Sequence, residues 1–309
     1  MLDKSKIFSH CLDRWSINES DKKIQYFQTN FDEWFSQIPG ELQEITLQLL
    51  ELFEYYPQEK INQYLYALRF RLDEKAMLNP NETLYTILPS KSGILNSSSD
   101  YLYTYRQLHE ISKYNIVLNL ETYITSKPDK YKIIKNIVIV DDYCGSGKSL
   151  ENFVKHYSNH LCNKHIYYVI TYLMLESLPK IVDISKKANI DIDVIYINTG
   201  KKAFDNNKFS DKKEELRFIV RDNSKKLKIN SKYHLGKYGS ESLVAFYNDT
   251  PNNTIGLFWC DSSEYFSIFP REFENTEGLK RPTPQNLKLQ KALRNVQNYS
   301  SAKRKIQNE

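Results

Sequence analysis

"NIVIVDDYCGSGKSL", residues 136–150, decides how this chain folds. Four branched apolar residues in a row, Ile137 to Val140, lack the alternation of a half-exposed strand and suit a central strand buried on both faces. The run stops abruptly at two acids, Asp141 and Asp142. A turn of small residues follows (Gly145, Ser146, Gly147), and Lys148 and Ser149 then open an amphipathic stretch, "KSLENFVKHYSNHL". Strand, polar turn and helix succeed one another without a gap. A mononucleotide P-loop would read GxxxxGK[ST] and would need its first glycine at 142, where the chain has Asp142, so a polyphosphate wrap is excluded. Two of only nine glycines are spent on this one turn. Adjacent acids at a buried strand end are costly without partners. Together these features point to a ligand site rather than a simple bend.

Outward from this point the pattern repeats. Apolar runs at 83–88 ("TLYTIL"), 165–175 ("HIYYVITYLML") and 190–198 ("IDIDVIYIN") read as strands, and 148–161 and 177–189 read as helices between them. This alternation predicts an α/β fold with a mainly parallel sheet flanked by helices. Residues 1–78 place apolar side chains at three- and four-residue spacing, with a break near Pro57, and predict an N-terminal helical region. The expected organisation is 1–78 helical, 79–278 the α/β domain and 279–309 a tail. No internal repeat is present.

Composition narrows the class. Apolar residues make up 40% of the chain and charged residues 26%, as in an ordinary water-soluble domain. The four cysteines (Cys11, Cys144, Cys162, Cys260) include no CxxC pair, so neither a zinc knuckle nor a disulfide framework is indicated. The amino-terminal residues lack the apolar core of a signal peptide, and the longest apolar run is too short to span a bilayer. A cytoplasmic protein with no membrane partner is expected. His156 and His160 have the spacing of a metal pair without a third ligand pattern, which predicts an exposed helix face. The net charge of +5 resides in the tail: from Leu279 onward there are eight Lys/Arg and one acid, leaving 35 basic against 37 acidic residues before it. Such a segment is a candidate phosphate-backbone contact with nucleic acid, or simply a solvated end.

The stretch 137–150 resembles the PRPP-binding signature of type I phosphoribosyltransferases, and the hypoxanthine-guanine type most closely in its final Gly-Lys-hydroxyl triplet. The resemblance implies a type I phosphoribosyltransferase fold. It implies that Asp141 and Asp142 accept hydrogen bonds from ribose hydroxyls and offset charge on an oxocarbenium-like transition state. Cys144, Gly145, Ser146, Gly147, Lys148 and Ser149 would then form the 5-phosphate loop. Mg²⁺ would arrive with PRPP, with Asp141 and Asp142 as its candidate protein contacts. Ser90, Lys91, Ser92 and Gly93, after the 83–88 strand, fall where the family holds pyrophosphate, and the tyrosine-rich 97–107 where it has a lid. Where the hypoxanthine-guanine type carries an acidic base, this chain has Gly145, as adenine-type relatives have a small residue there; the acceptor and its base are left open.

A second resemblance joins "LVAFYNDTPNNTIGLFW" and "IFPRE" (268–272) to the carboxy-terminal part of phosphoribosyltransferase-like proteins of bacterial conflict systems, some associated with retrons. It implies an antiphage setting, with other defence proteins as partners. Asn252, Asn253 and Trp259 are the base-site candidates, and Trp259 as a core residue is the competing reading. Whether the chain is a transferase or a non-catalytic nucleotide sensor stays open at this level.

Overall fold

Asn136–Cys144 forms the central strand of a five-stranded, wholly parallel sheet. The computed structural model describes residues 2–15, 21–89, 97–209 and 211–271. In chain order the helices are α1 (Lys4–Arg14), α2 (Lys22–Ser36), α3 (Gly40–Leu52), α4 (Gln58–Lys75), α5 (Ser97–Leu108), α6 (Leu120–Ser126), α7 (Pro128–Ile133), α8 (Lys148–Leu161), α9 (Leu178–Ala188) and α10 (Lys213–Lys226). The strands are β1 (Glu54–Tyr56), β2 (Thr83–Thr86), β3 (Ile116–Val117), β4 (Asn136–Cys144), β5 (His165–Met174), β6 (Ile192–Gly200) and β7 (Val244–Phe246). The expected α/β architecture, a parallel sheet flanked by helices with helices leading into it, is the one found.

Sheet order is β3-β2-β4-β5-β6. The chain builds outward from β2 to β3, returns to place β4 on the other side of β2, and continues outward through β5 and β6. The order therefore reverses between β2 and β4, and ligands of open α/β sheets bind at the carboxyl ends of the strands at such a reversal. Register sharpens the point. The last residue of β2, Thr86, stands opposite Ile139, so β4 runs on from Val140 to Cys144 past the end of its neighbour. Asp141 and Asp142 lie on that overhang.

Helices cover both faces. Ile137 and Ile139 face a core shared with Phe153 and Val154 of α8 and with Ile181 and Ile184 of α9. Val138 and Val140 face Leu65, Leu68 and Leu72 of α4 and Tyr101 and Tyr105 of α5. All four strand residues are fully buried. At roughly 1.5–3 kcal/mol for each side chain taken from water, the run fixes the strand and therefore the acids at its end.

The cores part elsewhere than at residue 78. Helices α1 to α3 share one core with residues 203–269, including Trp15, Phe27, Trp34 and Phe53 from the first segment and Phe258, Trp259 and Phe269 from the last. Strand β1, at the sequence break before Pro57, pairs in parallel with β7 (Glu54↔Val244 to Tyr56↔Phe246). Helix α4, inside the expected 1–78 segment, packs on the sheet instead. Residues from α1 to β1 and from 203 to 269 thus form a composite lobe beside the sheet. No helix of the described residues is long and apolar enough to cross a membrane. Residues 279–309, the expected basic tail, lie outside the described residues.

Candidate functional site

Adjacent residues of a strand point to opposite faces, and that separates the two acids at the end of β4. Asp141 lies on the Ile139 face. Its register partner on β5 is Ile170, so Tyr168 is a diagonal neighbour on the same face. The Tyr168 hydroxyl donates to Asp141 Oδ2 at 2.7 Å, and Ser98 Oγ of α5 donates to Oδ1 at 2.6 Å. The backbone N–H of Asp142 reaches the same Oδ1 at 3.0 Å. Both carboxylate oxygens of Asp141 are therefore satisfied from within the protein.

Asp142 is nearly as buried, at 8% exposure against 6% for Asp141, and its carboxyl hydrogen-bonds Ser97 of α5 and its neighbour Asp141. Its backbone carbonyl accepts from the Thr171 hydroxyl. Its carboxyl is held well above the usual carboxylate range, first by burial and then by the neighbouring Asp141 charge, with Ser97 of α5 pulling the other way. Asp249, from the segment after β7, adds a further upward push. A buried carboxyl beside a second carboxyl is costly to ionise, and a nearby cation or hydroxyl donor would favour its charged form.

Two glycines shape the loop for different reasons. Gly147 has φ +68°, a left-handed conformation that L side chains resist, and there it caps α8 with no side-chain acceptor of its own. The first-turn N–H groups of α8 thus have no side-chain cap, and the positive end of the helix faces the turn. Gly145 is required by space instead. A Cβ there would stand 2.5 Å from Nδ2 and 2.7 Å from Cγ of Asn253. Ser146 is half-buried, while Lys148 and Ser149 are exposed at the mouth. Lys148 Nζ pairs with Glu151 Oε2 at 3.0 Å, and Lys155 and Lys180 share the same carboxylate. Lys155 and Lys148 together hold Glu151 down to about 2.

Not every loop residue offers its side chain. Cys144 is 3% exposed, its sulfur directed at Ser177 Oγ, and burial pushes its thiol up to about 11. Only its backbone remains for a ligand. Burial in the core between α8 and β5 is the physical reason.

The Thr-Pro-Asn-Asn turn comes to this loop from the far end of the chain. Asn253 is anchored three times: its carbonyl accepts from Ser240 Oγ (2.7 Å) and from the Ser242 N–H (3.2 Å), and its amide donates to the Lys237 carbonyl at 3.4 Å. Gly236, at φ +73°, leaves room for that carbonyl where a Cβ would collide. Asn252 accepts from the Lys237 N–H through its backbone and is half-buried. Trp259 is a different matter. It is 2% exposed, donates its indole N–H to Thr254 O at 2.7 Å and lies edge-on to Tyr233 inside the composite core. It has no free face for a base, and the base-stacking expectation gives way to the core reading.

The structure thus brings Asp141, Asp142, Gly145 to Ser149 and Asn253 to one sheet end. Ser90, Lys91, Ser92 and Gly93 lie outside the described residues. His156 and His160 are exposed on α8. Among the described residues no group of three or more His, Cys, Asp or Glu could hold a metal ion by itself. Sequence reading missed Ser97, Ser98, Tyr101, Tyr168 and Asp249 as neighbours of the acids. The signal for the first three was present: Ser98, Tyr101, Leu102 and Tyr105, all buried, stand at helical spacing in the stretch expected to be a lid.

Comparison with known proteins agrees with this geometry. A sequence-family model described as PRTase-CE matches residues 31–271, which runs through both the sheet and most of the composite lobe. No curated protein and no solved structure matches the chain. With well over half of its length matched, and with an acid pair and a glycine loop at the reversal point of a parallel sheet, this chain belongs to the PRTase-CE family of phosphoribosyltransferase-like proteins.

Proposed function

We propose that the carboxyl end of β4 binds a 5-phosphoribosyl ligand, PRPP or a nucleoside 5-monophosphate. The observation that carries this is the uncapped start of α8 behind a left-handed Gly147, five residues past the buried Asp142. One terminal phosphate fits such a nest, held by backbone N–H groups and by the Ser146 and Ser149 hydroxyls. Asp142 accepts from a sugar hydroxyl, and a cation arriving with the ligand would favour its ionised form and so place negative charge beside the anomeric carbon. Asp141, already bonded to Ser98 and Tyr168, keeps the strand end rigid. One carboxylate plus pyrophosphate oxygens is a donor set that suits Mg²⁺, which retains most of its waters. Bound that way, Mg²⁺ would neutralise charge on the leaving pyrophosphate.

A second reading, a sensor that binds without turnover, is supported by Asn253. Its amide occupies the space beside Gly145, and an amide neither takes nor gives a proton at neutral pH. Calorimetry against PRPP, a nucleoside monophosphate and ATP tests the binding claim; tight ATP binding with none of the others would overturn it. Incubation with PRPP, Mg²⁺ and candidate acceptors separates the two readings by pyrophosphate release.

The biological setting we propose is a bacterial antiphage system of retron type, with this chain as effector or accessory protein alongside other defence proteins. The support is the resemblance of 242–272 to conflict-system proteins, and phage challenge of cells carrying the Asp142→Asn variant tests it. We further propose that the basic 279–309 segment contacts nucleic acid. Truncation after Gly278 should then flatten the salt dependence of that binding, and an unchanged slope would rule the tail out.

A further inference from the structure

Helix α5 enters the sheet end with its first turn against the acids. Ser98 Oγ donates to Asp141 at 2.6 Å, and Tyr101 stands three residues further on, on the same side of the helix. Tyr101 is 1% exposed, and its ring meets Phe246 edge-on at 6.2 Å between centroids. The tyrosine is locked in place. Its hydroxyl is nevertheless buried without a hydrogen-bond partner. Burial, and then the charges of Asp142, Tyr247, Asp249 and Asp141, keep it protonated at any ordinary pH. It is thus a fixed donor without an acceptor, and Asp142 is the charge that acts on it most.

A buried hydroxyl left without a partner is destabilising, and such groups in folded proteins call for an explanation. Phenylalanine would fill the same volume at no such cost. We propose that Tyr101 is a ligand-binding residue whose hydroxyl donates to the sugar hydroxyl that itself donates to Asp142. One sugar oxygen then completes the buried Tyr101 hydroxyl while its own hydrogen goes to Asp142. The division of labour on β4 follows: Asp141 is a positioning residue held by Ser98 and Tyr168, and Asp142 with Tyr101 reads the ligand. Specificity for a hydroxylated sugar over its deoxy analogue resides in this pair, because losing the hydroxyl leaves the buried Tyr101 donor unsatisfied.

This inference rests on the phosphoribosyl reading, and one experiment separates the two. Wild-type protein and the Tyr101→Phe variant are titrated calorimetrically with ribose 5-phosphate and with its 2-deoxy and 3-deoxy analogues, and melted without ligand. The expected result is a variant that melts at the same temperature or higher, binds ribose 5-phosphate about tenfold more weakly, as for one lost hydrogen bond, and no longer discriminates against one of the two deoxy analogues. Unchanged affinity with both discriminations intact would overturn the role of Tyr101 while leaving the phosphoribosyl site standing. A lower melting temperature would show that the hydroxyl is satisfied internally, and overturns it equally. If wild-type protein binds neither ribose 5-phosphate nor PRPP nor a nucleoside monophosphate, the phosphoribosyl reading itself falls, and this inference with it.

Discussion

Two acids buried to a similar degree, Glu241 in the composite lobe and Asp142 at the sheet end, have opposite surroundings. Glu241 is 3% exposed and is clasped by Arg217, whose Nε and Nη2 reach its two oxygens at 2.6 and 3.1 Å. The N–H of Phe204 adds a third donor at 3.3 Å. Asp142 has no comparable clasp. Aromatic groups repeat the contrast. Trp15, Trp34 and Trp259 of the composite lobe all place their indole N–H on an acceptor, whereas the hydroxyl of Tyr101 near the sheet end is buried without one. The lobe completes this acid and these indoles internally, although the Ser224 hydroxyl within it is buried without a partner. A sheet end that leaves the Tyr101 hydroxyl incomplete is built to be completed by something else.

The most severe way to break the comparison is to open the satisfied site. Arg217→Met leaves Glu241 buried and unpaired, and removing one partner of a buried pair costs about 3–5 kcal/mol. Urea denaturation should show that loss. A change of less than about 1 kcal/mol would mean that water enters to replace the guanidinium.

Asp141→Asn comes next. The carboxamide keeps one acceptor oxygen but turns an NH₂ toward the Tyr168 or Ser98 hydroxyl or the Asp142 N–H, all of which donate. A loss of about 1–3 kcal/mol is expected, with the melting temperature lowered before any effect on ligand is read. An undiminished melting temperature would show that the three donors do not depend on the charge.

Asp142→Asn should move stability the other way, by on the order of 1 kcal/mol upward at neutral pH, since it removes a buried acid set beside another acid. The pH dependence gives the sign. With its carboxyl raised in the folded state, Asp142 keeps a proton that the unfolded chain has already lost, so stability falls as pH rises from the ordinary aspartate range toward the raised value. The substitution should flatten that slope and abolish ligand binding. A variant that binds as well as wild type, with the slope intact, would move the ligand away from β4.

How much of this was legible beforehand follows from how local each feature is. The phosphate-type loop occupies fourteen consecutive residues, and the neighbouring strands and helices announce themselves by period. Strand β3 has two residues and offers no period at all. Strands β1 and β7 have three residues each and meet only across the length of the chain, so no local pattern signals their pairing or the composite lobe they join. Helix α5 was hidden by composition, not by length: its buried face carries Ser98, Tyr101 and Tyr105, residues that count as polar in a hydropathy pattern. Gly145 looked like a turn glycine, and only the arrival of Asn253 from 108 positions away shows that it yields space to another side chain.

The smallest expected effect falls on the residue that gives the loop its deceptive likeness to an ATP-binding turn. Lys148 is exposed at the start of α8, and its ammonium lies 3.0 Å from Glu151, a first-turn acid that also holds Lys155 and Lys180. Exposed pairs of this kind contribute about 0–1 kcal/mol, and two other lysines remain to hold Glu151 when one leaves. The phosphate contacts assigned to this loop come from backbone N–H groups and serine hydroxyls, which Lys148→Ala leaves untouched. The variant should therefore melt within about 1 °C of wild type and bind PRPP within roughly threefold, the loss shrinking further as salt screens the missing charge. A polyphosphate loop predicts the reverse, because its lysine touches the transferred phosphates and cannot be spared. Assayed beside Asp142→Asn, a collapse of binding in Lys148→Ala with binding retained in the aspartate variant would transfer the ligand from the strand end to the helix, and the contrast between the two buried acids would lose its functional meaning.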